Sequence, residues 1–186
     1  LEFRRVLFRS DDDILGLAVE NTNLKAQRES FGPAQEAADA VRAALQAAER
    51  AAPARVADRT AARVARAATA VLTIQVLQAR HIAEADEARM TEQEAQMAAS
   101  GAAARSEIEA VKALVPAAVG SVGEAAAALD RFMATNTEIV QLSRRNTNVK
   151  SLALALGRKR PLAAGCDDLL HMLVEGLAGH EFKATR

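Results

Sequence analysis

Apolar side chains recur at alternating intervals of three and four along most of the chain. The first column is Ile14, Leu17, Leu24 and Phe31, with Asn21 and Arg28 at the steps between them; a second is Val64, Ala67, Val71, Ile74, His81 and Ala88. A third repeats every seven residues through Leu142, Val149, Leu156, Ala163, Leu170 and Leu177. This is the seam by which one helix packs on another. Short runs of Val, Ile and Thr alternating with polar residues, which would mark strands, are absent. The pattern predicts an all-α fold, an elongated antiparallel bundle of three to four long helices.

The breaks in the pattern divide the chain. Asp11 to Asp13 favour a helix start, and Gly32-Pro33 interrupts or kinks the first helix. Ala51-Ala52-Pro53-Ala54 reads as the first turn. A second helix is expected from about 54 to 99, a rod of roughly 70 Å at ~1.5 Å per residue. Ser100-Gly101 is a weak break, and Val119-Gly120-Ser121-Val122-Gly123 the clearest loop. The last helix then runs to about 178, bent at Pro161. Residues 11–182 form the expected bundle domain, with 183–186 as a frayed tail. Residues 1–10 (LEFRRVLFRS) lack an initiator Met and resemble translated adapter sequence, so they are expected to be a non-native extension, a short basic amphipathic lead-in being the alternative.

Against this regular background one motif stands out. Asn21-Thr22-Asn23-Leu24-Lys25 recurs as Asn146-Thr147-Asn148-Val149-Lys150, with Gly32 and Gly157 at the same distance beyond. Asn21, Asn136 and Asn146 each fall where the seam calls for an apolar residue: Leu17-Asn21-Leu24, Phe132-Asn136-Ile139 and Leu142-Asn146-Val149. An amide at a seam position either fixes register and partner number or lines a polar pocket between helices. With Arg144 and Arg145, these three are the candidate ligand-binding residues. If the intervening chain goes up and back once, the two Asn-Thr-Asn copies lie on parallel helices with Asn21 and Asn146 both pointing inward.

Composition narrows the function classes. Hydrophobic residues make up 50% of the chain, aromatics 3%, and 24 basic residues balance 24 acidic ones. That balance argues against nucleic acid, which needs a basic excess. The basic cluster Arg144, Arg145, Lys150, Arg158, Lys159 and Arg160 reads as a solvated face or an anion site and lacks aromatic interleaving. His81, His171 and His180 form no metal spacing. No phosphate-binding loop or nucleophile elbow is present. A Cys166/Asp167/His171 site is the weaker alternative to a buried, inert Cys166. No catalytic residue, metal or cofactor is therefore expected. No run of eighteen apolar residues occurs, so a membrane association would come only through a missing upstream segment.

The stretch from Asp130-Arg131-Phe132-Met133 through Leu142-Ser143-Arg144-Arg145-Asn146-Thr147-Asn148-Val149-Lys150-Ser151-Leu152 to Arg158-Lys159-Arg160 and Cys166-Asp167-Asp168 resembles the four-helix-bundle sensory region of bacterial methyl-accepting chemotaxis proteins. Arg80-His81-Ile82-Ala83-Glu84 to Met90 is compatible with the same family. The resemblance implies a non-enzymatic bundle on the periplasmic face of the inner membrane. It also implies a homodimer, a small-molecule ligand between helices, and a helix displacement passed through the membrane. The signalling hairpin and methylation segment of such receptors are absent from the chain. A structural coiled-coil scaffold without a small-molecule ligand is the competing expectation.

Overall fold

The computed structural model describes residues 13–179. All regular structure among them is helical, as expected of a chain rich in Ala, Leu, Arg, Glu and Gln, the strongest helix formers. The expected N-terminal extension over 1–10 and the tail over 183–186 lie outside the described residues. Eight α-helices follow in order: α1 (13–20), α2 (Thr22–Phe31), α3 (Pro33–Arg50), α4 (Ala57–Ala83), α5 (Glu87–Leu114), α6 (Val119–Arg145), α7 (Thr147–Leu154) and α8 (Arg160–Gly179). Short 3₁₀ turns at Ala54–Val56 and Pro116–Ala118 lead into α4 and α6. No single described helix is long and apolar enough to cross a membrane.

The chain gathers into two compact units, Thr22–Asn146 on one hand and Leu1–Asn21 with Thr147–Arg186 on the other. The first unit is an antiparallel four-helix bundle in which α2 and α3 together form one column and α4, α5 and α6 the other three. Cross-links between successive columns fix their directions. Gln75 pairs with Gln35 at 2.7 Å, Arg63 with Glu107 at 3.0 Å, and Arg105 with Asp130. With α4 to α6 of 27 or 28 residues each, the columns are about 40 Å long.

The bundle core is built from one stripe on each helix. Val41 and Leu45 of α3, Ile74 of α4, Met97 and Ile108 of α5, and Leu129, Phe132 and Ile139 of α6 are fully buried or nearly so. Alanines fill the rest, among them Ala34, Ala38, Ala67, Ala104 and Ala125. Small side chains let the helices approach closely. At Gly101 of α5 an added Cβ would come within 2.8 Å of Met133 Cε on α6.

Three expectations about the breaks are corrected. The single helix over 54–99 is two helices, because Glu84-Ala85-Asp86 is a turn. Asp86 ends it as an N-cap, its carboxylate accepting from the backbone N–H of Ala88 and Arg89 at 2.8 and 3.0 Å. Val119–Gly123 is not a loop but the first turn of α6; the reversal lies just before it, at Val115–Ala118. The last helix is not continuous to 178: it breaks at Asn146 and passes through a π-turn at Ala155–Lys159. In that turn the Arg160 N–H reaches the Ala155 carbonyl. Pro161, in the next position, has no N–H for the Gly157 carbonyl, and its ring needs the wider turn. The turn at Ala51–Pro53 and the interruption at Gly32 stand where the sequence places them.

In the second unit α1 lies antiparallel to α7. Ser151 Oγ donates to the Ile14 carbonyl at 3.1 Å, and Asn148 Nδ2 donates to Asn21 Oδ1 at 2.6 Å. The apolar residues Leu169, Leu170, Met172, Leu173, Val174 and Leu177 of α8 are exposed.

Candidate functional site

Polar side chains in the bundle core collect toward one end, the end that holds the α4–α5 turn. They form three successive levels. Deepest is an amide layer: Ser30 Oγ of α2 donates to Gln78 Oε1 at 3.0 Å, and Gln78 Nε2 of α4 donates to Asn136 Oδ1 of α6 at 2.9 Å. Gln78 is fully buried and Asn136 nearly so. Gln78 sits on α4 between Ile74 and His81 at helical spacing, so its place on the seam is legible once sought.

One turn further along stands His81, which is 0% exposed. Its Nε2 faces Glu94 Oε1 at 2.8 Å, and its Nδ1 faces Ser143 Oγ. Because a carboxylate only accepts, Nε2 carries a hydrogen here. Ser143 Oγ also lies 3.4 Å from the His81 carbonyl. The second Glu94 partner is Arg144, whose Nε donates to the same Oε1 at 2.6 Å. Arg144 further donates to Thr91 Oγ1 at 2.8 Å and to the Glu87 carboxylate. The hydrogen bond from Arg144 holds the Glu94 carboxyl below its ordinary value; partial burial opposes this, and His81 adds to it. The same bond from Glu94 pushes Arg144 further up. Arg144 thus ties the end of α6 to the first turns of α5.

The last level closes the end of the bundle. Asn146 Oδ1 accepts from Asn23 Nδ2 at 2.9 Å, and Asn146 Nδ2 donates to the Glu84 carbonyl at 2.8 Å. Asn23 also donates to the Ile82 carbonyl at 2.7 Å. Asn146 therefore joins three segments: the start of α2, the end of α6 and the α4–α5 turn.

The five candidate residues do not share one pocket. Asn136, Arg144 and Asn146 belong to the levels just described. Asn21 lies in the other unit, half-buried, and accepts from Asn148. Arg145 is exposed. Two surface hollows of the bundle lie elsewhere, one lined by Gln46, Glu49, Arg50 and Asp58 and one by Arg42, Leu72 and Gln75.

The seam reading of Asn21 and Asn146 is also corrected. Neither continues its helix. Asn21 has φ 50° and Asn146 φ 52°, the left-handed region, and they are the two non-glycine residues there among those described. Asn is the residue other than Gly that enters this region most readily, and only as single residues. Their partners are the third residues of the motifs: Asn23 donates to Asn146, and Asn148 donates to Asn21. The repeat itself carried that signal. The α4–α5 turn adds one reversal, so α2 runs antiparallel to α6, not parallel.

Cys166 is half-buried, and Asp167 and His171 are exposed. Among the described residues no group of three or more His, Cys, Asp and Glu side chains could hold a metal ion. No family model, curated protein or solved structure matches the chain.

Proposed function

We propose that this chain is a non-enzymatic sensory bundle of a chemotaxis-type signal-transduction protein. The observation that carries the reading is the paired exit of the first and last helices of the four-helix bundle. Thr22 and Asn146 stand at the same end, tied by Asn23 and Asn146. A small displacement of α6 against α2 leaves the bundle there. The residue resemblance to the sensory region of methyl-accepting chemotaxis proteins supports the same reading. In that reading the ligand is a small polar molecule held among Gln78, Asn136, Glu94 and Arg144. The chain works as a homodimer, on the periplasmic face of a membrane reached through a segment upstream.

Isothermal titration of the full chain against L-amino acids and dicarboxylic acids tests it. One class should bind with a saturable heat, and Asn136→Leu or Arg144→Ala should weaken it at least tenfold, about 1.4 kcal/mol. Silence across the panel would favour the scaffold. One observation supports that second reading: the buried amides of Gln78 and Asn136 close on protein partners, as register-setting amides do. Thermal melts of wild type and Asn136→Leu with and without the same compounds separate the two, since only a binding role raises the wild-type melting temperature with ligand present and leaves that of the variant unmoved.

A further inference from the structure

The outward faces of the bundle helices are charged, and the middle of α4 is the exception. α3 exposes Glu36, Asp39 and Arg50, and α6 exposes Glu124, Arg131 and Glu138. From Ala67 to Ala79, α4 carries no charged residue on any side. Its core seam is Val64, Ala67, Val71, Ile74, Gln78 and His81, all buried. Opposite runs a second seam at the same alternating steps, Ala62, Ala65, Thr69, Leu72, Val76 and Ala79, all exposed. Leu72 is 58% and Val76 47% exposed, whereas the other exposed large apolar side chains of the bundle, Leu24, Phe31 and Val119, stand near helix ends. The hydroxyls on this face are engaged within the helix. Thr69 Oγ1 donates to the Ala65 carbonyl at 2.8 Å, and Thr73 Oγ1 to the Thr69 carbonyl at 2.9 Å.

We propose that this outer face of α4 docks a second copy of the chain, the two α4 helices pairing in parallel as a two-stranded coiled coil. A helix that is apolar on two opposite faces buries one in its own bundle and needs a partner for the other. The side chains fit two strands. Thr69 and Val76, both β-branched, fall at the a positions of the outer heptad and Leu72 at the d position between them. That combination favours parallel pairs. A two-fold axis along the seam makes it self-complementary, with Leu72 facing Leu72. Beside it, a hollow of about 170 Å³ lined by Arg42, Ala68, Thr69, Leu72 and Gln75 gives the facing seam a hole to enter.

Charge chooses the orientation. On one flank of the seam stand Arg59, Arg66 and Arg80, all exposed; on the other stand Ala61, Ala68 and Gln75, half-buried and neutral. Arg66 shares the Glu107 carboxylate with Arg63, so the first flank keeps its positive balance. An antiparallel pair would set Arg66 against Arg80 of the other copy, and like charges so placed disfavour it. A parallel pair sets each guanidinium beside the neutral flank. The seam from Ala62 to Ala79 is about 25 Å long and about 10 Å wide. That is small against the roughly 800 Å² per partner of an ordinary specific interface, so the pair should form reversibly, in the micromolar range. The proposal names the surface of the homodimer in the sensory reading and rests on that part of it; it needs no small-molecule ligand.

Sedimentation equilibrium of the full chain from about 1 to 300 µM tests it, the range that so small an interface calls for. Wild type should pass from monomer to dimer. Leu72→Glu with Val76→Glu should raise the dimer dissociation constant at least tenfold. At low concentration that variant should melt like wild type, because both side chains are exposed in the single chain. Ala62→Cys in a Cys166→Ser background reads the orientation. A parallel pair brings the two thiols together at one end of the seam and should give a disulfide-linked dimer on mild oxidation; an antiparallel pair holds them at opposite ends. A dimer that the glutamates leave intact overturns the surface but not the homodimer of the sensory reading. A dimer that the glutamates weaken but Ala62→Cys does not link overturns the parallel pairing. A wild type that stays monomeric throughout overturns both the surface and the homodimer, and leaves the face to a helix of another protein. A silent ligand titration leaves the proposal standing.

Discussion

At the scale of single residues, Asn146 separates a seam amide from a helix terminus. On a seam, leucine would fill the site and stabilise the bundle. In the left-handed region leucine meets its own backbone, at about 1–2 kcal/mol. It also removes the hydrogen bonds that Asn146 makes with the Glu84 carbonyl and the Asn23 amide, roughly another 1 kcal/mol. Asn146→Leu should therefore lose about 2–3 kcal/mol in urea denaturation, and Asn146→Gly markedly less. A leucine variant as stable as wild type would put Asn146 back on the seam. Glu94 gives a second prediction at this scale. Its folded-state carboxyl lies below the ordinary value of 4.5 because Arg144 and His81 bond to it. A depressed carboxyl contributes stability that is present above that ordinary value and lost as pH falls through the lower, folded one. Melting temperature should therefore drop in that acid range, and Glu94→Gln should flatten that part of the profile while melting lower at neutral pH. An unchanged acid limb in Glu94→Gln would show that other carboxylates govern it.

At the scale of helices, two reversals show what the sequence could and could not reveal. The α3–α4 turn was legible because Pro53 punctuates it. The α4–α5 turn was not, since Glu84-Ala85-Asp86 contains neither Gly nor Pro and the apolar spacing runs through His81 and Ala88 without a fault. Its only local mark is Asp86 followed by Glu87, a cap and an acidic first turn. Backbone hydrogen bonds from Arg89 and Ala88 hold the Asp86 carboxyl below its ordinary value. Asp86→Ala should lower the melting temperature of the chain, whereas Asp86→Asn, an equally good cap, should restore most of it; equal losses would mean that the cap is not what starts α5. The opposite error came at Gly120 and Gly123, which look like a loop but lie in α6 with open space around them. Helix interiors tolerate such glycines at about 1 kcal/mol each. Gly101 differs, because its place is filled by the flexible end of Met133. Gly101→Ala gains helix propensity and displaces only a thioether, so it should stay within about 1 kcal/mol of wild type. Gly101→Leu overfills the α5–α6 contact and should cost about 1–3 kcal/mol. Equal stability of the two variants in thermal melts would show that α5 and α6 are not in close approach there.

At the scale of the whole chain, burial is unevenly divided. The buried apolar residues all lie between Ala26 and Ile139, inside the bundle, and beyond Asn146 the buried residues among those described are Thr147 and Ser151. Periodicity alone could not reveal this, because Leu156, Leu170 and Leu177 continue the same heptad that Leu142 begins. A seam states which face is apolar but not whether anything covers it. The consequence is kinetic as well as thermodynamic. Amides open with a free energy set by the contacts that break when their segment unfolds. Those of α3, α4, α5 and α6 lose a shared core, and those of α8 lose little beyond their own helix, which in isolation is marginal at this length. Hydrogen exchange followed by mass spectrometry should therefore divide the chain at Asn146. Peptides from 34–50, 60–83, 90–114 and 122–143 should exchange slowly and at a common limit, because they unfold together. Peptides from 162–178 should exchange orders of magnitude faster under the same conditions. The junction sharpens the expectation: the Asn23–Asn146 bond belongs to the bundle, so Asn146→Gly should leave the slow class slow while loosening its edge at 22–26 and 140–146. Equal protection of α8 and the bundle core would mean that α8 is covered, and that the apolar face from Leu169 to Leu177 is part of a larger core.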